Sequence, residues 1–255
     1  MIRELCGVPL SPDTPRLVAE ISNAHNGSFD RAMRLIAAAK AAHCDFVKLQ
    51  CYTPDELVAL RGDGLAPEPW GSEGWTMHTL YEHARTPLDW FPALFAYAHQ
   101  LQIPMFSSVF GPESLDVLER CNCPAYKIAR LDNQHTELLY ICRATGKPVL
   151  VSTAPQQPIP IRPDVLLYCP PGYPQTRLRL GETRFDTDHN EYNGFSYHGT
   201  DPLAPVIAAS MGASLIEFHL HLKNDPSALE ANISLTEHDA FWMVQSIRRL
   251  TTQYL

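Results

Sequence analysis

Short apolar runs rich in β-branched residues alternate along the chain with segments whose apolar residues recur at helical spacing. The runs predict eight strands, at residues 17–21, 45–50, 104–109, 125–129, 148–153, 165–169, 194–198 and 215–222. The intervening patterns predict helices at about 28–43, 88–101, 112–120, 136–145, 202–211 and 236–252. Such alternation is typical of βαβ units and a parallel sheet. The predicted fold class is therefore α/β, a closed TIM (β/α)8 barrel.

Three connections depart from this alternation. Between strands five and six, the four prolines of APQQPIPIRPD exclude a helix, and residues 170–193 show little helical periodicity. We therefore expect reduced helices after strands five and six. Residues 53–85, here called the insertion, are rich in Gly, Pro and Trp and too long for a passive connection. We interpret residues 1–255 as a single barrel domain with the insertion as a lid; packing on the barrel side or a dimer contact is the alternative.

Composition narrows the class of protein. A length of 255 residues suits one such barrel, and the net charge of −8 disfavours nucleic acid or an anionic membrane as the main partner. The sequence contains neither a signal-peptide pattern nor 18 consecutive apolar residues, so we expect a cytoplasmic protein. Its seven cysteines lack a framework spacing, which favours reduced thiols.

Polar side chains at the carboxyl ends of strands indicate the chemistry. Lys48 and Lys127, two of only five lysines, lie near the ends of predicted strands two and four. A buried ammonium is costly unless an anion meets it. Ser107, Ser108, Ser152 and Arg130 also lie at or near strand ends. Because these ends converge on one barrel face, the set predicts a phosphate or carboxylate site, although each lysine alone is equally consistent with a structural ion pair.

Two histidines predict a metal at the same face. His198 ends strand seven and His219 lies in strand eight, and imidazoles at neighbouring strand ends bind Mn²⁺, Zn²⁺ or Fe²⁺. Glu20, at the end of strand one, is a candidate acid, base or further ligand. Strand alternation places Glu217 and His221 on the face of His219. The alternative is a pair of structural core histidines. The residues themselves thus predict a barrel enzyme that binds a small anion, together with a metal.

Nine segments in order carry a resemblance to a known family. They are AEISNAHNGS (with the Asn23-Ala24 order exchanged), DFVKLQCYTPDEL, TLYEHARTPLDWFPAL, FSSVF, AYKIA, GKPVLVSTA, LLYCPPGYP, GFSYHGT and GASLIEFHLHL. The chain resembles the sialic acid synthase (N-acetylneuraminate synthase) family, in particular its pseudaminic acid synthase branch. That family condenses phosphoenolpyruvate with an open-chain acetamido sugar to a nonulosonic acid and releases phosphate.

The resemblance implies a role for each matching position. Glu20 and Glu230 match catalytic residues, and His198 and His219 match ligands of a divalent metal, Mn²⁺ with Mg²⁺ or Co²⁺ as alternatives, which polarises the sugar aldehyde. The substrate-binding positions are Lys48, Gln50, Ser108, Lys127, Arg130, Asp132, Ser152 and Tyr173. Among them, Arg130 replaces a serine that binds phosphate in the family. The implied enzyme is a C–C bond-forming transferase whose partners are phosphoenolpyruvate and an amino-sugar aldehyde.

Several positions depart from the family pattern. Tyr197 and Pro171 replace an aspartate and an asparagine, and we expect a protein without a counterpart of the family's C-terminal antifreeze-like domain. These departures leave two alternatives to a synthase: a catalytically silent barrel kept as a binding or assembly subunit, and a metal-dependent isomerase or phosphodiesterase. A homodimer is left open.

Overall fold

The computed structural model describes residues 4–154, 157–175, 178, 180, 183, 185, 192–223 and 229–253. It contains eight parallel barrel strands: β1 (Arg16–Glu20), β2 (Phe46–Cys51), β3 (Met105–Val109), β4 (Tyr126–Ile128), β5 (Val149–Thr153), β6 (Val165–Tyr168), β7 (Gly194–Tyr197) and β8 (Leu215–His221). Each strand pairs with the next, and β8 pairs with both β7 and β1. The sheet is therefore closed, and the predicted barrel is confirmed.

The described residues contain eight α-helices; six lie close to predicted positions, and the two in the insertion were not predicted. They are α1 (Phe29–Ala41), α2 (Pro54–Arg61), α3 (Met77–Ala84), α4 (Phe91–Gln100), α5 (Pro112–Arg120), α6 (Thr136–Ala144), α7 (Leu203–Ser210) and α8 (Glu237–Gln253). Helix α1 shows why: the Ser28 side chain caps its first turn, and Ala32, Leu35, Ile36 and Ala39 form a buried stripe at helical spacing. The outer helices thus bury one face against the strands.

The two expected gaps in the helical ring concern the segments after β5 and β6. No helix occurs at residues 154 and 157–164, as the prolines predict. Between β6 and β7, the described residues contain no α-helix, and most of residues 176–191 lie outside the described part of the chain.

The insertion contains two helices, α2 and α3, that pack against each other. A capping box between Thr53 and Glu56 starts α2, and the Thr76 side chain caps α3. Two residues of the insertion and two of the barrel form one small apolar cluster: Leu57 and Tyr81 with Tyr52 and Phe110. Since Tyr52 and Phe110 follow β2 and β3 directly, this cluster fixes the insertion to the carboxyl end of the barrel.

Three short strand segments complete the described fold. Glu4–Leu5 and Val8–Pro9 form an antiparallel hairpin, and the Arg16 side chain donates to the Pro9 carbonyl at the amino end of β1. Ser234–Thr236 pairs in parallel with the last three residues of β8, where β7 has already ended. Within the described residues, no helix has the length and apolar character needed to cross a membrane.

Candidate active site

The strand register places the candidate residues side by side at the carboxyl end of the barrel. Glu20 is paired with Lys48 across β1 and β2 and with His219 across β8 and β1. Ser108 is paired with Lys127 across β3 and β4. Ser107 is different: its hydroxyl donates to strand carbonyls, 3.1 Å from that of Leu49. The expectation that Ser107 belongs to the anion site is therefore wrong, because alternation turns it away from Ser108.

Two lysines and two glutamates form a buried network, here called the lysine cluster: Glu20, Lys48, Lys127 and Glu217. The Lys48 ammonium contacts Glu20 and donates to Ser108, 3.0 Å away. The Lys127 ammonium lies 3.1 Å from the Ser152 hydroxyl. Oε1 of Glu217 lies between the two ammonium groups, at 3.6 Å from Lys48 and 3.3 Å from Lys127. The cluster holds two positive and two negative side chains, all nearly inaccessible to solvent.

Glu217 is the site residue that sequence reasoning undervalued. Alternation from His219 put it on the site face, but only the structure shows that its carboxylate joins both lysines and accepts from Ser196 at 3.2 Å. Its other oxygen, Oε2, is buried without a hydrogen-bond partner in the described residues. A buried carboxylate oxygen without a partner, beside two ammonium groups, is unusual in a folded protein.

The cluster sets the protonation states of its members. Burial would raise the pKa of Glu217, but Lys127 and then Lys48 outweigh it and lower that pKa to about 2. Burial raises the pKa of Glu20 in spite of the opposing Lys48 charge. Burial also lowers the pKa of Lys127, whereas the two glutamates keep that of Lys48 above its usual value. Glu20 is thus the carboxylate in this cluster that accepts a proton more readily than usual.

The loop after β1 holds Glu20 in place. The Ser22 backbone N–H donates to Oε1 of Glu20 at 2.6 Å, while the other carboxylate oxygen contacts Lys48. Ser22 adopts φ of 36°, in the left-handed region that non-glycine residues rarely occupy. Such a backbone conformation often marks a functional site. Here it aims a backbone donor at the carboxylate.

The two candidate metal ligands lie next to this cluster and next to each other. The rings of His198 and His219 are 5.0 Å apart between centroids, and the Tyr173 ring lies 5.1 Å from that of His198. The Tyr173 hydroxyl donates to Glu230, whose Oε2 lies 3.2 Å from Nδ1 of His219. Glu230 reaches this place because Ser234–Thr236 pairs with the end of β8. All four residues predicted for this part of the site are therefore brought together.

The imidazole nitrogens of His198 and His219 are donor atoms of a type that binds divalent metals. Burial, reinforced by the neighbouring His219, lowers the pKa of His198 to about 3, so its ring is neutral and able to bind a metal. Nδ1 of His219 and Oε2 of Glu230 are both buried and lie 3.2 Å apart, and neither atom has another partner in the described residues. Imidazole nitrogen suits Mn, Fe, Co and Zn. Over the described ranges, no group of three or more His, Cys, Asp or Glu is placed to hold a metal, so the described residues supply the two imidazoles without a third ligand of these types.

The remaining candidates lie around the rim. Gln50 is half-buried on β2 beside Ser108, and the half-buried Arg130 directs its side chain towards Cys169. Asp132 is fully buried, and both of its oxygens accept hydrogen bonds from Arg61, at 2.9 and 2.6 Å. Arg61, at the end of α2, was not a sequence candidate because 71 residues separate it from Asp132.

Comparison with known proteins identifies the family. A model described as the NeuB family matches residues 35–161 and 162–254, which together cover most of the chain. The chain belongs to the NeuB family. The resemblance read from the nine sequence segments is thereby confirmed.

Characterised relatives of this NeuB family chain are synthases. It is 31% identical over 258 residues to the pseudaminic acid synthase of Helicobacter pylori, covering 92% of this chain and 74% of the relative. It is 32% identical over 253 residues to the pseudaminic acid synthase of Campylobacter jejuni, covering 91% and 73%. The crystal structure of an N-acetylneuraminic acid synthetase from Leptospira borgpetersenii, with citrate, superposes with a TM-score of 0.82 at 21% identity, covering 98% of this chain and 88% of that one. At this identity the structural likeness shows the shared fold.

Proposed function

We propose that the protein condenses phosphoenolpyruvate with an open-chain acetamido sugar to give a nonulosonic acid and inorganic phosphate. The observation that carries the proposal is the lysine cluster: two ammonium groups at the mouth of a parallel barrel, adjacent to a histidine pair. The names of two relatives about 31% identical, both pseudaminic acid synthases, support the same reaction.

Lys48, Lys127 and Arg130 bind the anion. Within the cluster, the charge of each lysine is already balanced by a glutamate, so the incoming phosphate and carboxylate compete with Glu217 for its shared position between the ammonium groups. The hydroxyls of Ser108 and Ser152 already accept from the lysines, and they turn to donate to the ligand. Charge-assisted hydrogen bonds of this kind hold the phosphate and stabilise it as it departs.

The condensation takes place in three steps. The electron pair of the C2–C3 double bond of phosphoenolpyruvate forms a bond from C3 to the aldehyde carbon, the C=O π bond breaks, and the aldehyde oxygen takes up a proton to become a hydroxyl. Water then adds to the cationic C2, and Glu20 takes its proton, in keeping with the raised pKa of this carboxyl. The tetrahedral product loses phosphate by cleavage of the C2–O bond while its C2 hydroxyl gives up its proton to the departing phosphate, which leaves a 2-keto acid.

His198 and His219 would hold a divalent metal, for which Mn²⁺ is our first candidate. When bound, such a metal polarises an aldehyde oxygen as a Lewis acid. Glu230 lies against His219 and orients its ring, as a carboxylate commonly does for a metal-binding histidine. The Tyr173 hydroxyl keeps Glu230 in this position.

Calorimetry with phosphoenolpyruvate tests the proposal. The wild-type protein is expected to bind one equivalent, and addition of Mn²⁺ with an acetamido sugar is expected to convert the complex to products. Absence of phosphoenolpyruvate binding, with or without Mn²⁺, would rule the proposed function out. An isomerase or a phosphodiesterase would not join phosphoenolpyruvate to the sugar, so neither alternative predicts these products.

A further inference from the structure

Arg61 joins the insertion to the barrel rim through a two-point contact. Its Nε and Nη2 donate to the two oxygens of Asp132, which follows β4. Paired, parallel hydrogen bonds of this kind fix the guanidinium plane as well as its position. The side chain is still about one quarter exposed, at 25%. The Arg61 side chain is therefore partly open to solvent at the end of the barrel where the lysine cluster lies.

Both carboxylate oxygens of Asp132 are engaged by this contact. The residue is fully buried, and each of its carboxylate oxygens already accepts from Arg61. A sugar hydroxyl reaching this position meets the guanidinium first. The Asp132 bonds use two of the five N–H donors of Arg61, and the Tyr81 hydroxyl is a further neighbour. Remaining donors on the Nη groups are available for oxygen atoms of a ligand.

Aromatic side chains also pack against Arg61, in addition to its contact with Asp132. Its guanidinium lies 5.5 Å from the centre of the Phe110 ring, within the range of a cation–π contact. Phe110 packs edge-on against Tyr52, whose ring also meets Tyr81. After burial, the Glu230 carboxylate contributes most to raising the pKa of the Tyr52 hydroxyl, and Arg61 opposes it. The Tyr52 hydroxyl thus lies within electrostatic range of both Arg61 and Glu230.

We infer that Arg61 binds the acceptor sugar at this rim and that Asp132 is a positioning residue that acts through Arg61. The pair carries no net charge, so it suits the hydroxyl and acetamido oxygens of a neutral sugar better than a phosphate group. Arg61 is then a specificity-determining residue supplied by the insertion. The inference rests on the proposed function, since it names the residue that recognises the second substrate of that reaction.

Kinetics with a panel of 2-acetamido-2-deoxyhexoses and their 6-phosphates tests this role. For Arg61→Met, we expect KM for the best neutral sugar to rise at least tenfold, as for a lost charged hydrogen bond, while kcat changes less than about threefold. Calorimetry should show unchanged affinity for phosphoenolpyruvate. Arg61→Lys, which keeps the charge but not the two-point contact, should lie between. Arg85→Met is the matched control: Arg85 is in the same insertion and 28% exposed, and in the described part of the chain its ion pair is with Glu82 of α3, at 2.7 Å.

A double-mutant cycle separates Arg61 from Asp132. If Asp132 acts through Arg61, then Asp132→Asn raises KM in the wild type but by less than about twofold in the Arg61→Met background. The double variant also removes the unpaired buried charge that destabilises Arg61→Met. Additive effects on KM, a preference of the wild type for the 6-phosphates, or an unchanged KM in Arg61→Met would overturn the inference. Failure of the wild type to use any neutral panel sugar while binding phosphoenolpyruvate would overturn it too. Loss of phosphoenolpyruvate binding by the wild type would instead overturn the proposed function.

Discussion

Replacing Lys127 by methionine tests the anion site most sharply, because it keeps the volume of the side chain and removes its charge. Lys127 is 2% exposed and its ammonium contacts Ser152 and Glu217. Loss of one charged hydrogen bond to the ligand weakens phosphoenolpyruvate binding by about 1.5–3 kcal/mol, roughly 10- to 150-fold. Calorimetry on the wild type and on Lys127→Met measures this difference directly.

The same variant should lose stability for a separate reason. Removing one partner of a buried ion pair costs about 3–5 kcal/mol, and Lys48 at 3.6 Å still compensates Glu217, so we expect the lower end. Adding Glu217→Gln should restore the melting temperature without restoring affinity. Lys147→Met, which removes a lysine paired with Glu119 outside the site, should leave affinity unchanged. Equal phosphoenolpyruvate affinity in wild type and Lys127→Met would refute the assignment of the cluster.

Three further predictions concern the metal, the insertion, and His25, which is buried in the loop after β1. His219→Ala should lose bound Mn²⁺ and turnover but keep its fold; unchanged metal content by elemental analysis would contradict the metal assignment. Burial lowers the pKa of His25 to about 4, so its neutral ring stabilises the fold above pH 6.5 by about 3 kcal/mol, and this contribution is lost as the pH falls from 6.5 towards 4. Denaturant unfolding should show a flatter acid limb in His25→Gln, and equal limbs would contradict this. Substrate should protect amides of residues 60–80 from hydrogen exchange, and Trp75→Ala should lower turnover far more than melting temperature; unchanged exchange would make the insertion structural.

Much of the fold could be predicted because its signals are local. Strand two was expected at 45–50 and lies at Phe46–Cys51, and the prolines after strand five correctly excluded a helix. The helices of the insertion were missed although one local signal was present. Thr53 and Glu56 have the spacing of a capping box, but the Gly, Pro and Trp content that follows obscured it.

The site was predictable in its residue types and less so in its contacts. Lysines in apolar strands indicated an anion site because a buried ammonium demands a partner. The partner found in the structure is Glu217, 90 residues beyond Lys127, and the partner of Asp132 is Arg61, 71 residues before it. Spacing along the chain carries no information about such pairs, since they depend on how the barrel closes and where the insertion packs.

The central claim is the condensation itself, and an isotope label tests it most directly. Phosphoenolpyruvate carrying ¹⁸O in its C2–O–P bridge is incubated with the protein, Mn²⁺ and a 2-acetamido-2-deoxyhexose, and the released phosphate is followed by ³¹P NMR. The account predicts phosphate that retains the ¹⁸O and forms only when the sugar is present, because the C2–O bond breaks after C–C bond formation. Unlabelled phosphate would mean cleavage of the P–O bond, and binding of phosphoenolpyruvate without any release of phosphate would mean a catalytically silent barrel; either result contradicts the account.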